Sequence, residues 1–442
     1  GVWRMEPSEV FSIIVLVNTL CTAWEMYLIY RQRHLHAKRV ERSNDISSLI
    51  SQEDYDKARL YSIDRLSLKL FRLVIDYAFM IVLLYTHYYS RLWEYSENIS
   101  ESYALAIFMA IHSFITYIFD LPISLYENFV VEQLHGFNKY TLQFYLLDSV
   151  KKLGLTYVFV TPLSMGAVWL IDNGGQYFYV YVWIFISIII FGMMTIYPSL
   201  IAPLFDKYSP LPEGKLKKAI EDLAASVNYP LHKLFVVDGS KRSGHSNAYM
   251  YGLWKNKRIV LYDTLLSCEE KKKVYEAIGK DEKDIIEDDD KGMGVDEVVA
   301  VVGHELGHWA KWHTISNLCF SELNILFSLF IFSLFHNNIA LAKAFGFKSN
   351  IPSLLSLLIV LQYVMAAYNE LIGLVMVVMT RRMEFQADEY AAKLGHSSNL
   401  RSALIKLSKD NLSLPINDWL YSTCRHTHPP VTERITALSK CE

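Results

Sequence analysis

Long apolar runs alternate with short polar loops along most of the 442-residue chain. A helix of about 20 apolar residues is long enough to cross the hydrocarbon core of a bilayer. Seven runs reach that length, and charged residues are rare within them. This pattern predicts seven transmembrane helices, at about 9–30, 67–90, 104–126, 153–172, 177–201, 315–340 and 352–380.

Two longer polar segments interrupt the apolar runs and divide the chain into four parts. The first polar segment holds strand-like runs, Lys233 to Val237 and Arg258 to Tyr262, beside a helical stretch from Lys215 to Ala225. It also contains a charged stretch at 281–290 that is typical of a solvated, flexible insert. The predicted parts are 5–201 with spans one to five, 202–313 as a polar domain, 314–380 with spans six and seven, and 381–442 as a C-terminal segment.

Composition agrees with a membrane protein that has a substantial polar part. Hydrophobic residues make up 52% of the chain and charged residues 20%, which is below the roughly 25% of soluble proteins. The net charge of −3 argues against a nucleic-acid-binding surface. The five cysteines are an odd number without a CxxC pair, so we expect thiols rather than a disulfide framework. Membrane lipid is therefore an expected partner, and nucleic acid is not.

Basic residues in the short loops predict which side of the membrane each part faces. The loop between the first two predicted spans carries eight lysines and arginines, whereas 91–103 carries only Arg91 and 172–176 carries none. Because basic loops stay in the cytosol, the N-terminus is predicted to be luminal and both polar segments cytosolic. With seven spans, the C-terminus is cytosolic as well. The sequon at Asn98 is accordingly predicted to face the lumen, and that at Asn411 the cytosol.

A metal-binding pattern lies just before the sixth predicted span, where residues 303–309 read GHELGHW. In a helix, His304 and His308 are four residues apart and present both imidazoles on one face, as binding to one zinc ion requires. Glu305 is placed to reach a water on that metal without binding the metal itself. Two core histidines on a helix are the structural alternative, but this pattern arises rarely by chance. A catalytic zinc also needs a third protein ligand and an open position for water.

Topology predicts where the third ligand lies. Span six begins near Thr314, directly after the HELGH helix, and span seven returns to the same side near Thr380. Glu384 lies four residues beyond that exit, and Asp388 lies one helical turn later. We therefore expect Glu384 to be the third ligand and Asp388 to accept a hydrogen bond from a ligand histidine, which fixes its tautomer. An acidic residue in such a helix is otherwise a solvated charge, and only the pairing with HELGH indicates a site.

Several segments of the chain carry a recognisable set of motifs: GHELGHW, RRMEFQAD, YPSLIAPLFDKYSPLPEGKL, GSKRSGHSNAYMYG, KNKRIVLYDTLL, ENFVVEQLHGFNKYT and HTHPPVTERITAL. Together they resemble the eukaryotic type I CAAX prenyl proteases, seven-span zinc metalloproteases whose animal members mature prelamin A. The resemblance covers nearly the whole chain, by motif from about Glu127 onward and by the pattern of spans before it. GHELGHW is shared with soluble and bacterial relatives, whereas HGFNK and SNAYMYG are more specific.

The resemblance implies a fold, a location, a cofactor and a set of residue roles. It implies a mainly α-helical, polytopic membrane protein in which seven transmembrane helices enclose a water-filled chamber. A cytosolic-side metalloprotease domain of the gluzincin type, with a small β-sheet and one Zn²⁺, carries the active site. The implied location is the endoplasmic reticulum membrane, with the inner nuclear membrane as a second one. The implied residues are His304, His308 and Glu384 as zinc ligands, Glu305 as the catalytic base, His428 as the group that stabilises the oxyanion, and Asn247, Ala248 and Tyr249 as substrate-binding residues.

The chemistry that fits these residues is hydrolysis of a peptide bond. Zinc lowers the pKa of its bound water toward about 7 and polarises the scissile carbonyl. Glu305 then takes the water proton and gives it to the leaving amine. His428 is the candidate donor to the oxyanion and His426 the alternative, although either residue type also caps or packs helices. The segment 246–252 lies between the two strand-like runs, where it forms either a plain loop or an exposed strand edge that holds an extended peptide.

Five acidic residues lie inside the predicted spans rather than at their end residues, and lipid does not tolerate them. Pairing between helices is one explanation, and a hydrated interior is the other, favoured by the spread of these residues over five spans. A chamber that opens to the zinc site admits the peptide part of a lipid-modified substrate while the attached lipid stays near the bilayer. The residues are Glu25, Asp76, Asp120, Glu322 and Glu370.

The leading hypothesis is a membrane zinc endopeptidase that removes the last three residues of farnesylated CAAX proteins. The alternative within the enzymes is a quality-control protease of the HtpX type that cuts misfolded or translocon-trapped proteins. A transporter with a structural zinc is less favoured, since corresponding halves lack paired Gly/Pro-broken spans and a structural zinc does not need Glu305. A catalytically inactive scaffold is less favoured because the ligand residues and Glu305 are all present.

Overall fold

The chain is mainly α-helical, and a computed structural model describes residues 5–239, 245, 247–252, 255, 257–280 and 291–441. The charged stretch predicted at 281–290 lies outside the described residues. The helices before residue 202 are α1 (Pro7–Lys38), α2 (Gln52–Tyr85), α3 (Tyr88–Ile99), α4 (Ala104–Tyr126), α5 (Leu142–Asn173) and α6 (Phe178–Ile196). The later helices are α7 (Lys215–Ser226), α8 (Cys268–Ile278), α9 (Val295–Ala310), α10 (His313–Phe335), α11 (Ile339–Ala344), α12 (Ser353–Ile359), α13 (Ala366–Ala391), α14 (Ser397–Asp410), α15 (Trp419–Arg425) and α16 (Val431–Ser439).

Five helical stretches among the described residues are long and apolar enough to cross a membrane. They contain α1, α4, α5, α6 and α10, which correspond to the first, third, fourth, fifth and sixth predicted spans. A sixth candidate is a pair of helical stretches, Ser353–Val364 and Ala366–Asp410, that are joined at a sharp bend. The protein therefore has the fold of a multi-pass membrane protein, and the count of seven spans stays a prediction.

The seventh predicted span is a broken helix. α12 continues through a wider helical turn, Val360–Val364, and the chain then bends by 65° into α13. Asn18 of α1 donates to the Tyr363 carbonyl at 3.0 Å, and Asn369 donates to the Leu361 carbonyl at 2.9 Å. These two amides replace backbone hydrogen bonds that the break removes and that hydrocarbon does not supply.

The second predicted span lies in α2, which carries more charge than the other spans. This helix has 34 residues and is therefore long enough to cross a bilayer. Lys69, Arg72 and Asp76 lie within the predicted span and lower its hydropathy, so α2 is not among the five apolar stretches. The helix also ends at Tyr85, before the predicted boundary at residue 90, and α3 follows it.

Most of the acidic residues in the predicted spans are paired with arginine. Of the two explanations given by the sequence, pairing between helices therefore accounts for three of the five, while Asp76 pairs with an arginine of its own helix. The fifth, Glu322 of α10, accepts a hydrogen bond from Ser187 of α6. The ion pairs are Arg425 of α15 with Glu25 and Glu370, and Arg72 of α2 with Asp76 and Asp120.

A four-stranded sheet forms the centre of the polar domain. Its strand order is β1-β2-β4-β3, with β2 and β4 parallel and both outer strands antiparallel to their neighbours. α7 and α9 pack on the sheet around buried Ile220, Leu261 and Val302. The two predicted strand-like runs and the predicted helical stretch are confirmed by β2, β4 and α7. The strands are β1 (Tyr208–Pro210), β2 (Leu231–Val237), β3 (Ala248–Tyr251) and β4 (Lys257–Tyr262).

Candidate metal centre

The helix that carries the HELGH motif, α9, approaches α13 very closely. Gly307 lies at the crossing, where a Cβ would be 2.9 Å from the Cα and from the carbonyl oxygen of Ala387. Ala387 is itself fully buried. Small residues at a helix crossing allow the two backbones to approach each other, as in tightly packed membrane helices. The close crossing brings Glu384 and Asp388 of α13 next to the histidines of α9.

The three residues predicted as metal ligands lie together in this crossing. The Nε2 atoms of His304 and His308 are 3.2 Å apart. The Glu384 carboxylate lies 3.2 Å from Nε2 of His308 and 3.5 Å from Nε2 of His304. One ligand atom from each of the three residues lies within 4.8 Å of the others, and Glu384 is only 3% exposed. The arrangement is a buried group of two imidazoles and one carboxylate.

Asp388 orients His304. Nδ1 of His304 lies 2.8 Å from Oδ1 of Asp388 and donates to it. Arg434 of α16 donates two hydrogen bonds to the same carboxylate, from Nε to Oδ2 at 2.8 Å and from an Nη to Oδ1 at 2.7 Å. Because Asp388 is held from both sides and is ionised, the proton of His304 stays on Nδ1. The Nε2 lone pair is then directed at the cluster.

A separate pair of residues orients His308. Nδ1 of His308 lies 2.9 Å from Nδ1 of His313, whose Nε2 lies 2.9 Å from the amide oxygen of Gln386. The amide oxygen can only accept, so Nε2 of His313 carries its proton and donates it to Gln386. Nδ1 of His313 is consequently an acceptor for the Nδ1 proton of His308. The Nε2 lone pair of His308 is therefore also directed at the cluster.

These tautomers fit a bound metal ion. With both Nδ1 atoms protonated, two imidazole lone pairs face each other across 3.2 Å with a carboxylate beside them. Three electron-rich atoms at this separation repel one another unless a cation lies between them. Neutral imidazole nitrogen and carboxylate oxygen are also the donor atoms of catalytic metal sites. The chemistry of the donor set thus matches the metal predicted from the sequence.

Two further predicted residues, Glu305 and His428, line the cavity beside the cluster. Nδ1 of His428 lies 2.9 Å from Oε2 of Glu384, and this hydrogen bond to a carboxylate raises the pKa of His428. His426, the alternative to His428, is different. Burial, reinforced by the charge of Arg381, lowers the pKa of His426 to about 4. Of the two histidines, His428 is the one in contact with a residue of the cluster.

The segment predicted to hold substrate is an edge strand from residue 248 onward, while residue 246 lies outside the described part. An N–H of β4 donates to the Asn247 carbonyl at 3.0 Å. The alternation of an antiparallel ladder then turns the backbone groups of Ala248 and Met250 toward the open edge. Asn247 and Ala248 line the same cavity as the cluster. Tyr249 does not line it, and its hydroxyl hydrogen-bonds that of Tyr208 at 2.9 Å.

A single cavity of about 970 Å³ connects the cluster with the membrane helices. His304, Glu305 and Glu384 line it at the polar domain, and residues of α1 and α2 line it on the membrane side. Its volume lies near the upper end of the range of ligand pockets, so it has room for several peptide residues. This cavity agrees with the predicted chamber that opens to the metal site.

Three residues of the site were not predicted from the sequence. They are His313 and Gln386, which orient His308, and Arg434, which holds Asp388. His313 follows the HELGH motif by five residues, and a second histidine so close to a ligand is a usable signal. Arg434 lies in the HTHPPVTERITAL segment that carries the resemblance, but a lone arginine in a helix has no pattern of its own.

Comparison with known proteins assigns the chain to a family. A family described as "CAAX prenyl protease N-terminal, five membrane helices" matches residues 31–207, and peptidase family M48 matches residues 210–442. The fold and the site are therefore those of a multi-pass membrane metalloprotease. The chain belongs to peptidase family M48 and, within it, to the CAAX prenyl protease 1 proteins.

The relatives cover nearly the whole chain. The "CAAX prenyl protease 1 homolog" of Caenorhabditis elegans is 49% identical and covers 98% of both chains. The human homolog is 38% identical and covers 99% of this chain and 97% of its own. The crystal structure of S. mikatae Ste24p is 31% identical, with a TM-score of 0.86 over 97% of this chain and 98% of that one.

Proposed function

We propose that this protein is a zinc endopeptidase that removes the last three residues of farnesylated CAAX proteins. The observation that carries the proposal is the buried group of His304, His308 and Glu384 with Glu305 beside it in a cavity that reaches the membrane helices. The relatives similar over nearly the full chain are named CAAX prenyl proteases, which supports prenylated CAAX proteins as the substrate class. A quality-control protease of the HtpX type, the alternative hypothesis, has no such support.

His304, His308 and Glu384 would hold the zinc ion. When bound, zinc makes a water more acidic and polarises a carbonyl group, which is the chemistry that peptide hydrolysis needs. The neutral tautomers set by Asp388 and His313 support this ligand set, since imidazole binds zinc through an unprotonated nitrogen.

Glu305 is the proposed general base, which takes the proton of the attacking water and returns it to the leaving amine. His428 is the proposed donor to the carbonyl oxygen as that oxygen gains negative charge. His428 contacts the cluster through Glu384, whereas His426, with a pKa of about 4, is neutral at physiological pH. Asp388 keeps the proposed role of accepting a hydrogen bond from His304.

The substrate is proposed to extend along the open edge of β3. The Ala248 carbonyl and the backbone groups of Met250 would bind the peptide main chain, with Asn247 at the start of the strand. Tyr249 contributes through the strand backbone, because its side chain bonds Tyr208 instead of lining the cavity. Main-chain recognition suits a substrate class in which the three removed residues vary.

The proposed location is the endoplasmic reticulum membrane, with the inner nuclear membrane as a second site. The basic loop after α1 supports a luminal N-terminus, with the active site and C-terminus in the cytosol. The proposed division of the chain is 5–201, 202–313, 314–380 and 381–442. The second and fourth of these parts supply the metal site, and the first and third supply the membrane spans.

The decisive test is cleavage of a farnesylated CAAX peptide by the purified protein. We expect release of the C-terminal tripeptide, loss of activity with a zinc chelator, and little cleavage of the unprenylated twin. The Glu305→Gln variant should keep about one zinc per chain while kcat falls by about 100-fold or more, since only the proton transfer is removed. Near-normal cleavage by Glu305→Gln would refute the proposed mechanism, and equal cleavage of both peptides would refute the substrate class.

A further inference from the structure

One face of α2 presents a row of cations to the cavity. Arg65, Lys69 and Arg72 are spaced by four and three residues, which places them on the same side of the helix, and all three line the cavity. Arg434 is the fourth cation of the lining. A cluster of positive charge in a cavity that binds peptide needs either carboxylate partners in the protein or an anionic ligand.

Three of these four cations have carboxylate partners. Lys69 lies 3.2 Å from Glu25 of α1. Arg72 pairs with Asp120, and Arg434 holds Asp388 through two hydrogen bonds. The positive charge of each is therefore balanced within the protein, and none of the three is available for a ligand without breaking an ion pair.

Arg65 is different from the other three. No carboxylate oxygen of the described residues lies within 4.0 Å of its guanidinium nitrogens. An Nη of Arg65 instead donates a long hydrogen bond of 3.4 Å to the Tyr61 hydroxyl, and its guanidinium carbon lies 5.6 Å from the centre of the Tyr61 ring. The tyrosine is buried and contacts the guanidinium group, while Arg65 itself is exposed. Arg65 thus presents to the cavity a cation that no described carboxylate pairs with directly.

The nearby acid Glu132 does not form an ion pair with it. Glu132 accepts a hydrogen bond from the Tyr61 hydroxyl at 2.7 Å and lies 3.3 Å from Nε2 of His245. Its two oxygens therefore face the tyrosine and the histidine. The guanidinium remains able to form paired hydrogen bonds with a ligand, and its planar geometry matches a carboxylate.

Arg65 also lies toward the N-terminal end of β3, the strand proposed to bind the substrate. Nε2 of His245 is 3.1 Å from the Tyr61 hydroxyl that Arg65 contacts, and His245 precedes Asn247 by two residues. Contacts therefore lead from His245 through Tyr61 to Arg65.

We propose that Arg65 binds the free α-carboxylate at the C-terminus of the substrate, so that the removed tripeptide extends from the metal site past Asn247 to the guanidinium. The peptide then runs antiparallel to β3, because its carboxyl end lies at the N-terminal end of the strand. This inference rests on the proposed function, and it adds an explanation of why the removed peptide is three residues long. In this proposal the contact between Arg65 and the carboxylate fixes how many residues lie between the free end and the cleaved bond.

The test compares a farnesylated CAAX peptide with its C-terminal amide, which has the same sequence and no terminal charge. The wild-type enzyme should prefer the carboxylate by about 10- to 100-fold in kcat/KM, through KM, since one charge-assisted pair remote from the reacting bond is lost. Arg65→Gln should slow cleavage of the carboxylate peptide by this factor and leave the amide peptide unchanged. Lys69→Gln, which removes the paired cation one turn away, should keep the preference.

Three results would overturn the proposal. They are equal cleavage of both peptides by the wild-type enzyme, an equal loss on both peptides in Arg65→Gln, and loss of the preference in Lys69→Gln. A fluorescence binding assay separates this proposal from the proposed function. It compares the affinity of the two peptides for the inactive variant Glu305→Gln and for the double variant Glu305→Gln/Arg65→Gln. If the wild-type enzyme cleaves neither peptide, the proposed function fails, while the binding comparison still decides whether Arg65 recognises the carboxylate.

Discussion

At the scale of single residues, each of the two histidines proposed as ligands has its own acceptor of a different kind. His304 donates to a carboxylate that is itself held by Arg434, and His308 donates to a neutral imidazole held by Gln386. An ionised acceptor raises the basicity of the ligand more than a neutral one does. The two Nε2 atoms are therefore expected to differ in donor strength toward the metal.

His313→Ala tests the less obvious of these two contacts. Without His313 the Nδ1 proton of His308 loses its acceptor, and the ring is free to rotate or to change tautomer. We expect zinc affinity to fall by about 10- to 100-fold while the protein remains folded. Zinc retention during titration with a competing chelator measures this change.

The matched control is His112→Ala, because His112 of α4 hydrogen-bonds Tyr88 and belongs to a different part of the membrane region. That variant also removes an imidazole and its hydrogen bond, but it should retain zinc as the wild-type protein does. If His313→Ala retains zinc as well as His112→Ala does, the orientation of His308 does not depend on His313.

The sequence predicts the residues that share a helical period and misses those that do not. His304 with His308, and Glu384 with Asp388, are each four residues apart, so a helix puts each pair on one face. Arg434 reaches Asp388 from a helix that lies 46 residues further along the chain. Such a contact depends on how α16 packs against α13, which no local pattern contains.

At the scale of elements, the open edge of β3 is the feature with the clearest functional consequence. Asn247 begins this edge, and its side-chain oxygen accepts the Ala248 N–H at 2.8 Å. The side chain thus holds a backbone group that the edge presents toward the cavity. Asn247 is therefore suited to fix the shape of the edge where the peptide main chain is proposed to bind.

Asn247→Ala should lower kcat/KM for every CAAX sequence by a similar factor. The proposed contact is to the peptide backbone, which all substrates share, and zinc content should not change because Asn247 is not a ligand. A set of farnesylated peptides that differ in the last three residues measures this at matched zinc content. A loss confined to one peptide sequence would indicate that Asn247 lines a side-chain pocket. No loss for any peptide would show that the substrate does not bind along β3.

The membrane elements show why a hydropathy pattern has limits. Five predicted spans are apolar helices, but α2 combines the length of a span with charges that pair with other helices. The break after Val364 was not predicted either, since the amides that stabilise it come from Asn18 and Asn369. Both features depend on contacts made in the folded chain, whereas hydropathy depends only on neighbours along the sequence.

At the scale of the whole molecule, the C-terminal segment joins the catalytic part to the membrane part. Arg31 of α1 forms two hydrogen bonds with Asp418, at 3.0 and 2.9 Å, immediately before α15. At the other end of α15, Arg425 bonds both Glu25 of α1 and Glu370 of α13. The segment that carries His428 is therefore positioned by membrane helices as well as by the polar domain.

Arg425→Gln tests this connection through charge. The side chain of Arg425 is 19% exposed and that of Glu25 is 17% exposed. Removal of the arginine therefore leaves Glu370 without a cation and Glu25 with Lys69 alone. Breaking such a network is expected to destabilise the protein by about 2 kcal/mol, less than for a fully buried pair because water reaches the site. The midpoint of thermal unfolding in detergent should fall, and activity at permissive temperature should fall with it if His428 moves.

The rescue variant distinguishes charge from packing. Glu25→Gln and Glu370→Gln, added to Arg425→Gln, remove both carboxylates that paired with the arginine while keeping side chains of similar size. If uncompensated charge causes the loss, the triple variant should regain most of the thermal stability, because neutral amides cost far less to bury than carboxylates. If stability stays low, the shape of the arginine side chain between α1, α13 and α15 is what holds the C-terminal segment. In both cases zinc content measured below the unfolding midpoint should be unchanged, since none of the three residues belongs to the metal cluster.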